Sequence, residues 1–313
     1  MKRILTAAAA ACMLASAASA QDWAPSGPIK LMIAFAAGGG ADTQARLIAE
    51  ELNARLGWEF IPEQVTGKGG LNLALAIKDQ PSDGSAIGMV VTETLGYNMR
   101  AADAGVTPAD FTPIVTTAGF QMGVVSLASK GWQTFDDVLA AAEAGEELRF
   151  GTMSPKLSDI AYLLGKANGV EFNIVQVAGG RAVMDGVNAG DMDLGFMAGI
   201  QAKGVAAGEL VNLASALSVP LQQTPDAPTL ADLGVDFVAD GYFLFIGPAG
   251  MDSGARDALA AAISDIVADP ETRAGELIDR SFGGPAIIAG DDVAQLVAED
   301  YESAGRLLEA ASE

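Results

Sequence analysis

Histidine is absent from the chain, and its single cysteine, Cys12, lies within the first 20 of 313 residues. The commonest general base and the thiol nucleophile are therefore both missing downstream of that stretch. Metal binding is weakly supported for the same reason, because without imidazole or thiolate only scattered carboxylates remain as ligands. Positive charge is scarce as well: 18 Lys and Arg stand against 40 Asp and Glu, for a formal charge of −22. That balance argues against nucleic acid and anionic membrane surfaces as partners. No segment beyond the N-terminus is long and apolar enough to span a bilayer.

The N-terminus, MKRILTAAAAACMLASAASA, has a basic start, an apolar middle and small residues at Ala18 and Ala20. This is the pattern of a secretory signal peptide with cleavage after Ala20. Its apolar run is too short and too Ala-rich to favour a membrane span. Ala9-Ala10-Ala11 ahead of Cys12 argue against a lipid-bearing cysteine. Loss of Lys2 and Arg3 with the leader takes the formal charge from −22 to −24. About 290 residues remain, more than one core usually holds, so two lobes are expected in an exported, soluble chain.

What is present centres on Ile29 to Leu56. An apolar run of strand length, IKLMIAF, meets Gly38, Gly39 and Gly40, and a helix-period segment follows at once. Ala45, Ile48, Ala49, Leu52 and Leu56 share one helical face, and Gly57 stands just past its end. A strand, a glycine turn and a helix start together make a natural anion seat, since unpaired N–H groups carry partial positive charge there. A tight turn with no ligand would use the same glycines. A dinucleotide fingerprint fits worse, because its third glycine would fall on Thr43. Asp42 reads as the cap of the helix.

Strand and helix then alternate, which implies a mostly parallel sheet. Trp58–Ile61 reads as a strand ending at Pro62, followed by a second glycine turn containing Lys68, Gly69 and Gly70. The strand Ala86–Val91 runs into Thr92, Glu93 and Thr94. Ligands of such sheets sit beyond the carboxyl ends of the strands, where all three of these segments fall. Phe120–Leu127 reads as another strand, with a crossing between lobes just before it. The second lobe repeats the plan: Thr134 with Asp137 resembles a capping box, and strand-end loops follow at Thr152, Met153 and Ser154, at Gly179, Gly180 and Arg181, and at Met197 and Ala198. Tyr242–Ile246 reads as the return to the first lobe, and the remainder as helical.

Taken together, IAFAAGGGADTQARLIAEELNARLG, TGKGG and PSDGSAIGMVV closely resemble the first lobe of the tripartite tricarboxylate transporter receptors, the Bug or TctC family. DFTPIV, FGTMS, AGDMDLGF, TPDAPTLADLG and LFIGPAGMD follow in that family's order, so the resemblance covers nearly the whole chain after the leader. It implies an α/β, two-lobed periplasmic-binding-protein fold. Each lobe would be a mixed, mostly parallel sheet flanked by helices, with the ligand cleft between them. The implied division is a leader over 1–20, a first lobe over 21–118 and 241–313, and a second over 119–240. The resemblance also implies a periplasmic, monomeric protein without cofactor that binds a small organic acid and serves membrane permease subunits. Backbone amides at Ala36, Ala37, Gly38, Gly39 and Gly40 and at Lys68, Gly69 and Gly70 would hold a carboxylate. The other end of the ligand would meet Thr92–Thr94 and the second lobe's loops.

The chain departs from the family's pattern in two places. Leu71 follows the second turn where Asn is usual, with Asn72 one place later. The usual Val-Pro-Tyr-Lys-Gly is Val175-Gln176-Val177-Ala178-Gly179, which removes an aromatic and a base and leaves Arg181 as a nearby guanidinium. Arg181 could pair bidentately with a distal carboxylate, or simply be a solvated helix-start arginine. The acidic surface does not forbid an anionic ligand, because exposed charges are largely screened beyond roughly 8 Å at physiological salt. An enzyme would need a carboxylate pair drawn from Asp42, Glu93 and Asp193, which caps and loop solvation explain more simply. A carrier that docks on a signalling receptor would use the same cleft.

Overall fold

A computed structural model describes residues 23–313. The leader expected over 1–20, with Cys12, lies outside them. The described chain builds two five-stranded sheets. The first contains β1 (Ile29–Ile33), β2 (Phe60–Gln64), β3 (Ala86–Val91), β4 (Phe111–Gly119) and β10 (Tyr242–Pro248), in the order β2-β1-β3-β10-β4. The second contains β5 (Gly123–Leu127), β6 (Arg149–Thr152), β7 (Asn173–Gln176), β8 (Leu194–Met197) and β9 (Leu210–Ser215), in the order β7-β6-β8-β5-β9. The chain leaves the first sheet after Gly119 and re-enters it at Tyr242.

Each sheet is mixed and mostly parallel in direction, with four strands running one way and one, β10 or β5, running against them. β1 pairs in parallel with β2 and β3, while β10 runs antiparallel to β3 and β4. β6 likewise pairs in parallel with β7 and β8, while β5 runs antiparallel to β8 and β9. The centre strands β3 and β8 are buried along their whole length, as continuous apolar strands covered on both faces should be.

Helices cover both faces of the sheets. α1 (Gly40–Leu56) lays Ala45, Ile48, Ala49 and Leu52 into the core, and Leu56 is left half exposed at its end. Burying Ile48 and Leu52 contributes about 1.5–3 kcal/mol each. Gly57 closes the helix at φ 71°, with its N–H on the carbonyl of Asn53. α2 (Leu71–Ile77) and the short α3 (Met99–Ala102) complete the first passage. The second lobe carries α4 (Phe135–Glu143), α5 (Pro155–Asn168), α6 (Gly180–Ala189) and α7 (Ala202–Ala206). The chain ends with α8 (Ser253–Ala268), α9 (Arg273–Phe282) and α10 (Gly290–Ser312), and α10 packs on β4, α5 and the turn Thr94–Asn98.

The expected capping box is present at α4, where the Asp137 carboxylate accepts the Thr134 amide at 2.9 Å. Three local expectations are corrected. β2 starts later than Trp58 and runs through Pro62, which is tolerated because β2 is an edge strand bonded on one side only. The strand expected from Phe120 begins at Gly123, because Phe120–Met122 cross from one sheet to the other, with the Phe120 amide on the Gly241 carbonyl at 2.9 Å. Asp42 is not the cap of α1: Gly39 occupies that place and Asp42 lies in the first turn.

Candidate functional site

The carboxyl ends of β1, β3, β6 and β8 face one another across a cavity of about 520 Å³, counted to the atom surfaces and including its mouth. From the first lobe come Phe35 beyond β1, Gly39, Gly40 and Ala41 at the start of α1, Val91 and Glu93 at the end of β3, and Phe243 of β10. The second lobe supplies Met153, Leu157, Gly180, Ala198 and Ile200, and the crossing segment supplies Phe120 and Met122. The walls are thus mostly apolar, with backbone groups at two helix starts and one carboxylate.

Those helix starts carry unspent donors. The first bond within α1 runs from the Thr43 amide to the Gly39 carbonyl at 2.9 Å, which leaves the amides of Gly40, Ala41 and Asp42 ahead of it. In α6 the first bond runs from Val183 to Gly179 at 3.2 Å, which leaves Gly180 in the same position. Gly40, Ala41 and Gly180 line the cavity, so two helix dipoles from opposite lobes present their positive ends to it.

The turn before α1 is held from below by Asp42, only 3 % exposed. One carboxylate oxygen accepts the Gly38 amide at 2.8 Å, and the other accepts Arg46 Nε at 2.8 Å and the Gln64 side-chain amide. Asp42 therefore shapes the turn from beneath and does not line the cavity. The Gly39 amide closes the turn on the Ala36 carbonyl at 3.1 Å.

The lobes meet around the cavity. The Ala36 amide donates to the Ala178 carbonyl at 3.0 Å, the Lys156 amide to Asn98 Oδ1 at 3.3 Å, and the Tyr97 hydroxyl to Asp159. Burial pushes Tyr97 well above its ordinary pKa, and hydrogen bonding to Asp159 adds to the shift. Burial also raises Asp159, against the opposing effect of that hydrogen bond. The Tyr97–Asp159 hydrogen bond thereby joins the two lobes.

The sequence-derived site residues divide into groups. Gly39, Gly40, Glu93, Met153, Gly180 and Ala198 line the cavity. Ala36 and Gly179 meet at the lobe contact, with Ala36 N 3.2 Å from where a Gly179 side chain would begin, while Ala37 and Gly38 are exposed on the turn. Gly69 and Gly70 are buried beneath Asn98 and Thr94, whose side chains donate to the Gly69 carbonyl at 3.1 and 2.8 Å, and Lys68 is exposed beside them. Asn72 closes the same loop on the Thr66 carbonyl at 2.9 Å.

Thr92 Oγ accepts the Tyr242 amide at 3.1 Å, Thr152 Oγ lies 2.8 Å from Ser158 Oγ, and Ser154 caps α5 through the Leu157 amide at 3.3 Å. Met197 is buried in the second-lobe core. Arg181 points away, with Nε 2.9 and 3.0 Å from the two oxygens of Asp185. Phe35, Ala41, Val91, Phe120, Met122, Leu157, Ile200 and Phe243 line the cavity without having been singled out in the sequence. An apolar residue facing a cavity reads, in a sequence, like one facing a core.

The carboxylates that an enzyme would need are held apart. Asp42 is committed to the first turn. Asp193 sits at the far end of β6, where Arg149 contacts it at 3.0 Å and Lys130 also binds it. Burial pushes Asp193 up, but the hydrogen bonds from Arg149 and Lys130 outweigh it and bring the group down to about 2. Glu93 alone faces the cavity. Among the described residues no cluster of three or more Cys, Asp or Glu could hold a metal ion, and no helix is long and apolar enough to cross a membrane.

Known proteins place this geometry in context. The family model described as tripartite tricarboxylate transporter family receptor matches residues 44–312. The UPF0065 protein in the gbd 5′ region of Cupriavidus necator is 28 % identical over 255 residues, covering 80 % of this chain and 77 % of its own length. MatC of Rhodopseudomonas palustris, with bound malate, shares the fold at a TM-score of 0.77 and 20 % identity, over 91 % of this chain and 99 % of its own. An R. palustris protein with adipate does so at a TM-score of 0.79 and 21 % identity, over 93 % and 99 %.

Proposed function

From the membership of this chain in the tripartite tricarboxylate transporter receptor family, we propose that it is a periplasmic receptor that captures a small carboxylate and delivers it to the transporter's membrane permease. The observation that carries this reading is the pair of helix starts, Gly40-Ala41 and Gly180, whose spare amides line one apolar cavity from opposite lobes. A carboxylate is the natural complement of such donors.

Binding proceeds by capture and closure. The acid docks on the amides of Gly40 and Ala41. The second lobe, residues 119–240, swings in on the first, and the permease reads the closed form. Each charge-assisted bond contributes about 1.5–3 kcal/mol, so a few suffice for a micromolar complex, about 8 kcal/mol. The fold-sharing proteins with malate and adipate support a small organic acid as cargo. The leader is removed after Ala20, and the mature chain acts as a monomer.

Native mass spectrometry of protein purified without refolding tests this reading. The expected result is a co-purified organic acid, confirmed by calorimetry with that acid. Association with a neutral sugar or a simple cation, and with no organic acid, overturns it.

A further inference from the structure

We propose that the ligand carries an ammonium group as well as its carboxylate, and that Glu93 receives this group, so that the receptor selects amino carboxylates over dicarboxylates. This deepens the reading above and rests on the carboxylate being held at the start of α1.

Among the described residues, Glu93 is the only ionisable side chain lining the cavity. It is 4 % exposed. Asn98 Nδ2 donates to its Oε1 at 3.2 Å, and its Oε2 has no partner among the described residues. A buried carboxylate oxygen without a donor is costly, and it persists where something outside the folded chain completes it. Ser154 and Lys156 stand near Glu93, but neither meets Oε2 at hydrogen-bond geometry. Lys156 is the nearby cation, and it also faces Asp300, whose Oδ2 is likewise buried without a partner. One ammonium thus serves two buried carboxyl groups, each with an oxygen that lacks a donor.

Burial is accordingly the main influence raising Glu93, and Asp300 adds to it. Lys156, Ser154 and Asn98 pull the other way. A dicarboxylate seated on the α1 amides would bring its second anion into this acidic, poorly solvated region, where like charges repel strongly. An amino carboxylate would place opposite charges at both ends: carboxylate on the amides, ammonium on Glu93.

Titration calorimetry at neutral pH with three matched series tests the inference: amino carboxylates of about three to six carbons with the amine at the α or ω position, dicarboxylates of equal length, and diamines. The wild-type protein is expected to bind at least one amino carboxylate about tenfold or more tighter than the equal-length dicarboxylate. Glu93→Gln is expected to weaken that amino carboxylate by about tenfold or more and to bring the dicarboxylate level with it. Removing the buried charge favours folding, so the variant should melt at or above the wild-type temperature. If it fails to fold, the wild-type series decides alone.

Equal or tighter wild-type binding of the dicarboxylate overturns the inference and leaves the carboxylate reading standing. So does an unchanged preference in Glu93→Gln, or binding of no member of the series. Binding of the diamines without any carboxylate overturns both.

Discussion

Two glycine-rich turns stand at the carboxyl ends of neighbouring strands, Gly38–Gly40 after β1 and Lys68–Gly70 after β2, and they serve different ends. The first leaves the amides of Gly40 and Ala41 free and facing the cavity, because Asp42 and the Ala36 carbonyl hold the turn from the other side. The second is covered: Thr94 and Asn98 donate to the Gly69 carbonyl, the Gly70 amide closes on Gly67 at 3.1 Å, and Ser154 of the other lobe lies against Gly69. Glycine content does not distinguish the two. The distinction lies in which backbone groups neighbouring elements have already satisfied.

That difference predicts that substitutions in the second turn act on folding and those in the first on binding. The largest effect is expected at Gly69. It lies at φ +59°, and a Cβ there would sit 2.3 Å from Asn98 Nδ2 and 3.0 Å from Ser154 Cβ. Gly69→Ala combines left-handed backbone strain with overpacking, for about 2–4 kcal/mol of lost stability. A thermal melt should show a fall of roughly 5–15 °C. An unchanged melting temperature would mean that this turn is not locked as described.

Gly40→Pro comes next. Gly40 is the first residue of α1, a position where proline is tolerated, and the substitution deletes one N–H. The ring of Phe282 lies 2.9 Å from the new Cβ and must shift. Gly40→Ala meets the same ring and keeps the N–H, so the pair isolates the donor. The proline variant should bind the carboxylate about 10- to 100-fold more weakly than the alanine variant, with similar melting temperatures. Equal affinities would take the anion seat away from the first turn.

A smaller effect, in the pH dependence of stability, concerns the acid beside the second turn. Glu93, Asp159 and Asp300 are raised, chiefly by burial, so the folded state holds their protons more tightly than the unfolded chain does. Around Glu93 stand Asn98, Ser154, Lys156, Asp300 and Tyr97. Stability of the ligand-free protein should therefore rise as pH falls toward the ordinary carboxylate range. Asp193 opposes this only at lower pH: its folded pKa is depressed to about 2, so the stability it contributes is lost between about pH 4 and that value. Glu93→Gln should flatten the rise. An equally steep rise in the variant would assign it to Asp159 and Asp300 alone.

The parts of this architecture legible in the sequence are the local ones. The β1–α1 unit follows from an apolar run, three glycines and helical spacing at Ala45, Ile48 and Leu52. The Thr134–Asp137 box and the closing glycine Gly57 follow from short-range hydrogen bonding. The antiparallel insertion of β10 between β3 and β4 did not follow, because it joins segments more than 120 residues apart. The same long range hides the cavity walls. Phe120 and Phe243, with ring centroids 5.2 Å apart, come from segments that read as ordinary strands. Glu93 could be placed at a strand end, but its missing partner depends on Lys156 and Asp300 arriving from α5 and α10.

Arg181 gives the smallest expected effect and separates backbone from side chain at the second lobe's contribution. Its Cβ lies 3.7 Å from where a Gly39 side chain would begin, so its backbone belongs to the cleft rim. Its guanidinium turns outward to Asp185, with the two side chains 46 % and 55 % exposed. A pair of this kind, four residues apart on a helix surface, contributes about 0.3–0.5 kcal/mol. Arg181→Ala keeps the amides ahead of Val183 and loses only that pair. Ligand affinity should stay within about twofold and the melting temperature within about 2 °C. A tenfold loss, about 1.4 kcal/mol, would require the guanidinium to leave Asp185 and reach the ligand on binding. The second lobe would then recognise its cargo through a side chain, and the reliance on backbone donors would belong to the first lobe alone.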